Sequence, residues 1–157
     1  MHEFNYREGA LFCEDVPISD IVKDNPTPFY LYSYRTIIDH FTKIKEAFSE
    51  VDPLICFSMK ANSNMNICRA LVNAGSGLDI VSGGELYKAL KVGCPPERIV
   101  YASVGKTEKE ITSAIKENIL FFNVESVPEL IMIDTVAKRL KKKTKASLRL
   151  NPDVKAD

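Results

Sequence analysis

Apolar positions along this chain alternate between two spacings, and the alternation repeats. Short apolar runs at 54–59, 77–81, 98–102, 119–123 and 146–150 are rich in Ile, Val, Phe and Leu. They are too brief for confident helices and read as strands. Between them, 64–74, 83–92, 108–117 and 127–141 carry apolar residues at helical spacing. Upstream, Tyr34, Ile37, Ile38, Phe41, Ile44 and Phe48 share one helical face. This predicts a helix over 34–48 with that face buried and Ser33 as its N-cap. Residues 27–32 form a β-rich run. Residues 1–26 hold scattered apolar positions (Leu11, Phe12, Val16, Ile18, Ile21, Val22) without a long helical period, and Pro26 and Pro28 close them off. They read as strands and a short turn.

Three of the helices open with a hydroxyl residue followed three positions later by Glu: Ser82 with Glu85, Thr107 with Glu110, and Ser126 with Glu129. In each pair both side chains can satisfy a free backbone N–H, which predicts capping boxes. Strands joined by helices of this length pair in parallel through right-handed crossovers. The fold class is therefore α/β. An open doubly wound sheet and a (β/α)8 barrel both begin this way, and spacing alone leaves the two open; a barrel would have about five of its eight strands here. No closing element follows the fifth strand before Asp157, so the chain reads as a piece of a longer protein.

Composition narrows the function classes. The chain has 157 residues, 45% hydrophobic and 27% charged, enough for one domain with its own core and unlike a disordered or collagenous sequence. Its 21 basic and 21 acidic residues cancel, leaving no global field to attract nucleic acid or an anionic membrane. No apolar stretch approaches the ~20 residues of a spanning helix, and the first residues lack the layout of a signal peptide. A cytoplasmic protein acting on small molecules is the expectation. Cys13, Cys56, Cys68 and Cys94 are widely spread, and His2 and His40 stand apart from them. This spacing predicts reduced, mostly buried thiols and no metal site.

Because all five strands run the same way, their C-terminal ends gather Lys60, Asn62, Ser82, Ser103, Asn123, Glu125 and Asn151 on one rim. In β/α proteins that rim holds ligands. Lys60 follows directly on an apolar run. Asp79 lies between Leu78 and Ile80, and Arg149 between Leu148 and Leu150. A charge within a covered strand is costly unless paired or bonded to a ligand, so both are expected to face the interior that Lys60 faces and to share partners there. Other features have plainer readings. Glu85 is explained as a helix cap. Gly83-Gly84 is a weak anion cradle. Val104-Gly105-Lys106-Thr107 resembles the end of a phosphate-binding loop, but that motif needs Gly at the position of Val100. The basic run at 138–145 ends a helix, where cations suit the dipole.

Phe57-Ser58-Met59-Lys60-Ala61-Asn62 resembles the lysine motif of the barrel-type pyridoxal-phosphate decarboxylases, usually Tyr-Ala-Val-Lys-Ala-Asn. Gly77-Leu78-Asp79-Ile80-Val81-Ser82-Gly83-Gly84-Glu85-Leu86 is similar to their second block. Arg98-Ile99-Val100-Tyr101, Gly105-Lys106-Thr107 and Arg149-Leu150-Asn151-Pro152-Asp153-Val154 continue the match, in order, over residues 27–157. Within the family these blocks look most like those of diaminopimelate decarboxylases. Ornithine, arginine and carboxynorspermidine decarboxylases and a non-catalytic pyridoxal-phosphate carrier are the alternatives.

The resemblance implies a (β/α)8 barrel formed in part by residues 27–157, with residues 1–26 joining a later β-domain. It implies pyridoxal 5'-phosphate as cofactor, an amino acid as substrate and a homodimer. Lys60 would form the internal aldimine, Asp79 and Arg149 would line the cofactor face, and Glu85 would support them. The chain departs from the pattern at Phe57, which lacks the usual tyrosine hydroxyl, and at Ser58-Met59 in place of Ala-Val. The family's ring-stacking histidine, phosphate loop, pyridine-nitrogen acid and C-terminal Cys and Tyr would lie beyond Asp157.

Overall fold

The computed structural model describes residues 2–152 and 154, and its contacts divide into two compact units, one ending at Pro53 and the other beginning at Leu54. In the first unit, β1 (Phe4–Arg7), β2 (Ala10–Cys13) and β3 (Val16–Pro17) form an antiparallel sheet in that order. The β1–β2 turn consists of Glu8 and Gly9, both at positive φ (50° and 80°). A two-residue hairpin with two positive φ angles matches the right-handed twist of its strands. Helix α1 (Ile18–Asp24) follows β3 directly, where the sequence predicted only a turn; it has seven residues and buries none of them, so no apolar period marks it. Residues 27–32 are not a strand. Among the described residues they have no pairing partner, and Tyr30 and Tyr32 are exposed, so β-propensity alone does not order them into a sheet.

Helix α2 (Tyr34–Ala47) starts as predicted, with Ser33 Oγ accepting the Thr36 N–H at 3.0 Å. Glu14 Oε1 accepts from both Ser33 Oγ and the Arg35 N–H at 2.8 Å, tying the helix start to the turn after β2. The expected burial of its apolar face is corrected: among the described residues of the helix only Phe41 is buried, while Ile44 and Phe48 remain about half exposed.

The second unit is a parallel sheet in the sequential order β4 (Cys56–Ser58), β5 (Gly77–Ile80), β6 (Ile99–Tyr101), β7 (Phe121–Val124) and β8 (Ala146–Leu148). The crossovers are α3 (Met65–Asn73), α4 (Gly83–Lys91), α5 (Glu108–Glu117) and α6 (Val127–Arg139). All four helices contribute to one apolar core with Leu78, Ile80, Ile99, Tyr101 and Phe122, each fully buried. Each such side chain stabilises the fold by about 2 kcal/mol relative to exposure. The Tyr101 and Phe122 rings stack with centroids 5.9 Å apart.

Register assigns the opposite face. Ser58 lies across from Asp79, Asp79 from Val100, Val100 from Phe121, and Asn123 from Ser147. Alternation carries that face on to Arg149. Helices on one face only, with no reversal of strand order, are the arrangement of a barrel wall; a doubly wound sheet carries helices on both faces and reverses its order. Among the described residues the sheet is not closed. The five strands are therefore part of a (β/α)8 barrel.

The helix starts add one refinement. Only Thr107 and Glu110 complete the capping box. Glu85 and Glu129 instead reach one residue further back, to the N–H of Val81 at 2.8 Å and of Glu125 at 3.1 Å, while Ser82 and Ser126 cap the helix N–H groups.

Candidate functional site

Strand β4 delivers Lys60 to the C-terminal rim. The Met59 N–H extends the ladder to Asp79 O at 2.9 Å, and the chain then turns, with the Ala61 N–H on Ser58 O at 3.1 Å. Met59 is fully buried on the helix side, whereas Lys60 is exposed and makes no hydrogen bond or ion pair among the described residues.

Asp79 is half-buried on the neighbouring strand. Ser58 Oγ donates to its Oδ2 at 3.2 Å, and its Oδ1 is buried with no partner. Burial pushes this carboxyl above the usual range, opposed by the Ser58 hydrogen bond and by the charges of Lys60 and Lys106. Lys60 and Asp79 are thus brought within electrostatic reach of each other.

Arg149 continues the β8 ladder with its N–H on Val124 O at 3.1 Å. It lies on the Asp79 face, but its guanidinium is mostly exposed and pairs with Glu125 at 3.2 Å. The two charges share a face without sharing a partner. Glu85 spends Oε2 on the Val81 N–H, as a cap does. Asn62 turns the loop after Lys60 by accepting the Asn64 N–H at 3.0 Å, Asn151 is exposed, and Asp153 lies outside the described residues. The Gly83 N–H that would serve an anion cradle is taken by Glu110 Oε1 at 2.7 Å.

Sequence reasoning missed three groups. Lys106 lies in a matching motif to which the sequence assigns no role, yet its side chain is fully buried. Its Nζ donates to Ser103 O, Asn123 O and Glu129 Oε1 at 2.7, 2.8 and 2.7 Å. It thereby ties the ends of β6 and β7 to α6, and holds Ser103 at φ 125°, a strained angle for a residue with a Cβ. Glu129 carried only a capping signal. The Tyr101 hydroxyl is buried without a partner beside Glu110, and burial pushes its phenol up. The four cysteines are free thiols; burial raises those of Cys56 and Cys94 to about 11, far from a reactive thiolate.

An exposed primary amine within electrostatic reach of a buried carboxylate oxygen that has no hydrogen-bond partner fits an aldehyde cofactor, which a lysine amine can hold. The described residues offer a fit for that end of pyridoxal phosphate.

Residues 34–157 match the family model described as "Pyridoxal-dependent decarboxylase, pyridoxal binding domain". The diaminopimelate decarboxylase of Aquifex aeolicus is 50% identical over 149 residues, covering 95% of this chain and 35% of the relative. That of Vibrio cholerae is 44% identical over 157 residues, covering 99% and 38%. The crystal structure of the M. jannaschii diaminopimelate decarboxylase in co-complex with L-lysine superposes with a TM-score of 0.94 at 33% identity, covering 99% of this chain and 38% of that one. The chain spans somewhat over a third of the length of these relatives. It belongs to the pyridoxal-dependent decarboxylases, through their pyridoxal binding domain.

Proposed function

We propose that this chain is the N-terminal part of a diaminopimelate decarboxylase, which releases CO2 from meso-diaminopimelate to give L-lysine. The observation that carries the reading is the placing of Lys60, unpaired among the described residues at the end of β4, within electrostatic reach of Asp79 on β5, whose Oδ1 is buried and unpartnered. The choice of substrate rests on diaminopimelate decarboxylases at 40–50% identity and on the L-lysine in the M. jannaschii and Helicobacter pylori complexes.

Pyridoxal 5'-phosphate, when bound, supplies an electron sink for the pair left when the bond to the departing carboxylate breaks. The chain's own part is to hold and orient. Lys60 would hold the cofactor at its aldehyde end through its side-chain amine, which is exposed and makes no hydrogen bond or ion pair among the described residues. Asp79, on the neighbouring strand within electrostatic reach of Lys60, would supply the counter-charge on that side of the cofactor through its unpartnered Oδ1. Arg149 lines the same face, and Glu85 fixes the end of β5 by holding the Val81 N–H. The sheet keeps these groups in register because Lys60, Asp79 and Arg149 all follow or lie within strands of one rigid wall.

In the whole protein, residues 1–26 join a later β-domain, consistent with the antiparallel pairing of β1 to β3. A cytoplasmic location agrees with four free thiols and with no described helix long and apolar enough to cross a membrane. Homodimer assembly follows from the resemblance alone. The test is CO2 release by the purified full-length protein from diaminopimelate, ornithine, arginine and carboxynorspermidine. Preferential turnover of diaminopimelate supports the reading, and preference for any other of the four refutes it.

A further inference from the structure

The two carboxylate oxygens of Asp79 are in different situations. Oδ2 accepts from Ser58 Oγ, and Oδ1 is buried and unpartnered. Register explains the asymmetry. Ser58 lies directly across from Asp79 on β4, two residues before Lys60, whereas on β6 the residue across is Val100, which has no side-chain donor. Ser58 is therefore the one side-chain donor to Asp79 among the described residues. The terminal torsion of an aspartate is broad, so a bond to one oxygen decides where the other is directed.

Three titratable groups reach Asp79 electrostatically: Lys60 after β4, Lys106 after β6, and the Cys56 thiol one pleat below Ser58. Lys106 is already committed to Glu129. Cys56 stays a neutral thiol at physiological pH. The cation left for Oδ1 is the one at Lys60.

We propose that Ser58 is a positioning residue: by donating to Oδ2 it sets the carboxylate orientation in which Oδ1 of Asp79 is held for the nitrogen of Lys60. The inference rests on Lys60 being the cofactor lysine. Ser58 stands where the family motif usually has Ala, so its hydroxyl is a feature of this chain beyond that pattern. Among the described residues the hydroxyl makes no other side-chain hydrogen bond.

The test uses the full-length protein, with and without cofactor. In the apo protein the Asp79 carboxyl is titrated by NMR after selective carbon labelling of aspartate, its signal identified by loss in Asp79→Asn. Ser58→Ala is expected to raise the Asp79 midpoint by roughly one pH unit, because a donor to the ionised form is lost. It is also expected to weaken pyridoxal phosphate retention by roughly three- to tenfold, about 1 kcal/mol of lost orientation. Ser58→Thr keeps the hydroxyl and is expected to restore both. An unchanged midpoint in Ser58→Ala overturns the proposal. A shifted midpoint with unchanged retention overturns it too, since the bond would then not serve Lys60. Failure of the wild-type protein to take up cofactor on Lys60, read separately by borohydride reduction, would overturn this proposal together with the reading it rests on.

Discussion

Lys106 and Glu129 form a buried ion pair, Nζ to Oε1 at 2.7 Å, in which the lysine side chain has no exposure and the glutamate 9%. Removing one partner of such a pair leaves a buried charge without compensation. Lys106→Met is expected to destabilise the protein by about 3–5 kcal/mol in denaturant unfolding. The double variant Lys106→Met/Glu129→Met is expected to recover only part of that loss. It relieves the orphaned carboxylate but leaves Ser103 O, Asn123 O and the Glu125 N–H without their partners. Equal stabilities for Lys106→Met and wild type would show that the pair does not hold the rim.

Glu110 links two helix starts. Its pKa is lowered from 4.5 to about 2, chiefly by the Thr107 N–H and then by the Gly83 N–H. A depressed carboxyl contributes stability that is present above its unfolded value and lost as pH falls through the folded one. Thermal melts between pH 4.5 and 2 are expected to show this loss in the wild type and a flatter acid limb in Glu110→Gln. Parallel acid limbs would remove Glu110 from the account of acid stability.

Gly77 opens β5 where neighbouring groups crowd in: a Cβ would meet Arg98 O at 2.5 Å and Cys56 Sγ at 2.8 Å. Because one of these is backbone, Gly77→Ala forces the β5–β6 pairing to shift, at a cost of about 1–3 kcal/mol. Gly84 on α4 has only Ser82 Oγ within range, at 3.8 Å. Gly84→Ala is expected to be neutral or to stabilise by up to ~1 kcal/mol through helix propensity. A melt comparison of the two variants checks the contrast.

Asp79 carries a cost as well as a role. Burial raises its carboxyl above the usual value, and a raised carboxyl withdraws stability as pH rises through the folded pKa. Asp79→Asn is accordingly expected to melt at or above the wild-type temperature near neutral pH while retaining pyridoxal phosphate at least about tenfold less well, the loss of one favourable charge contact. Wild-type cofactor affinity in this variant would contradict the counter-charge role.

Much of the parallel wall was legible in the sequence because apolar runs and capping residues are local signals. The α5 helix begins and ends where its pattern placed it, and Ser33, Ser82, Thr107 and Ser126 all cap as read. The predicted strands were longer than the observed ones, since pairing and not propensity sets strand ends: β4 is ordered only over Cys56–Ser58. Lys60 stood out as a charge at the end of an apolar run, and Asp79 as one embedded in an apolar run. Lys106 and Glu129 did not, because a bond across 23 residues leaves no local trace and each residue already had a sufficient local reading. Spacing alone left the barrel open; the motif resemblance implied it, and the single helix-covered face, a property of how the crossovers pack, agrees with it.

The most direct measurement is borohydride reduction of the cofactor-loaded full-length protein followed by peptide mapping. Lys60 is expected to carry the pyridoxyl label and Lys60→Ala to abolish it. A label on Lys88, Lys106 or any other lysine, with Lys60 unmodified, would contradict the placing of the cofactor at the end of β4.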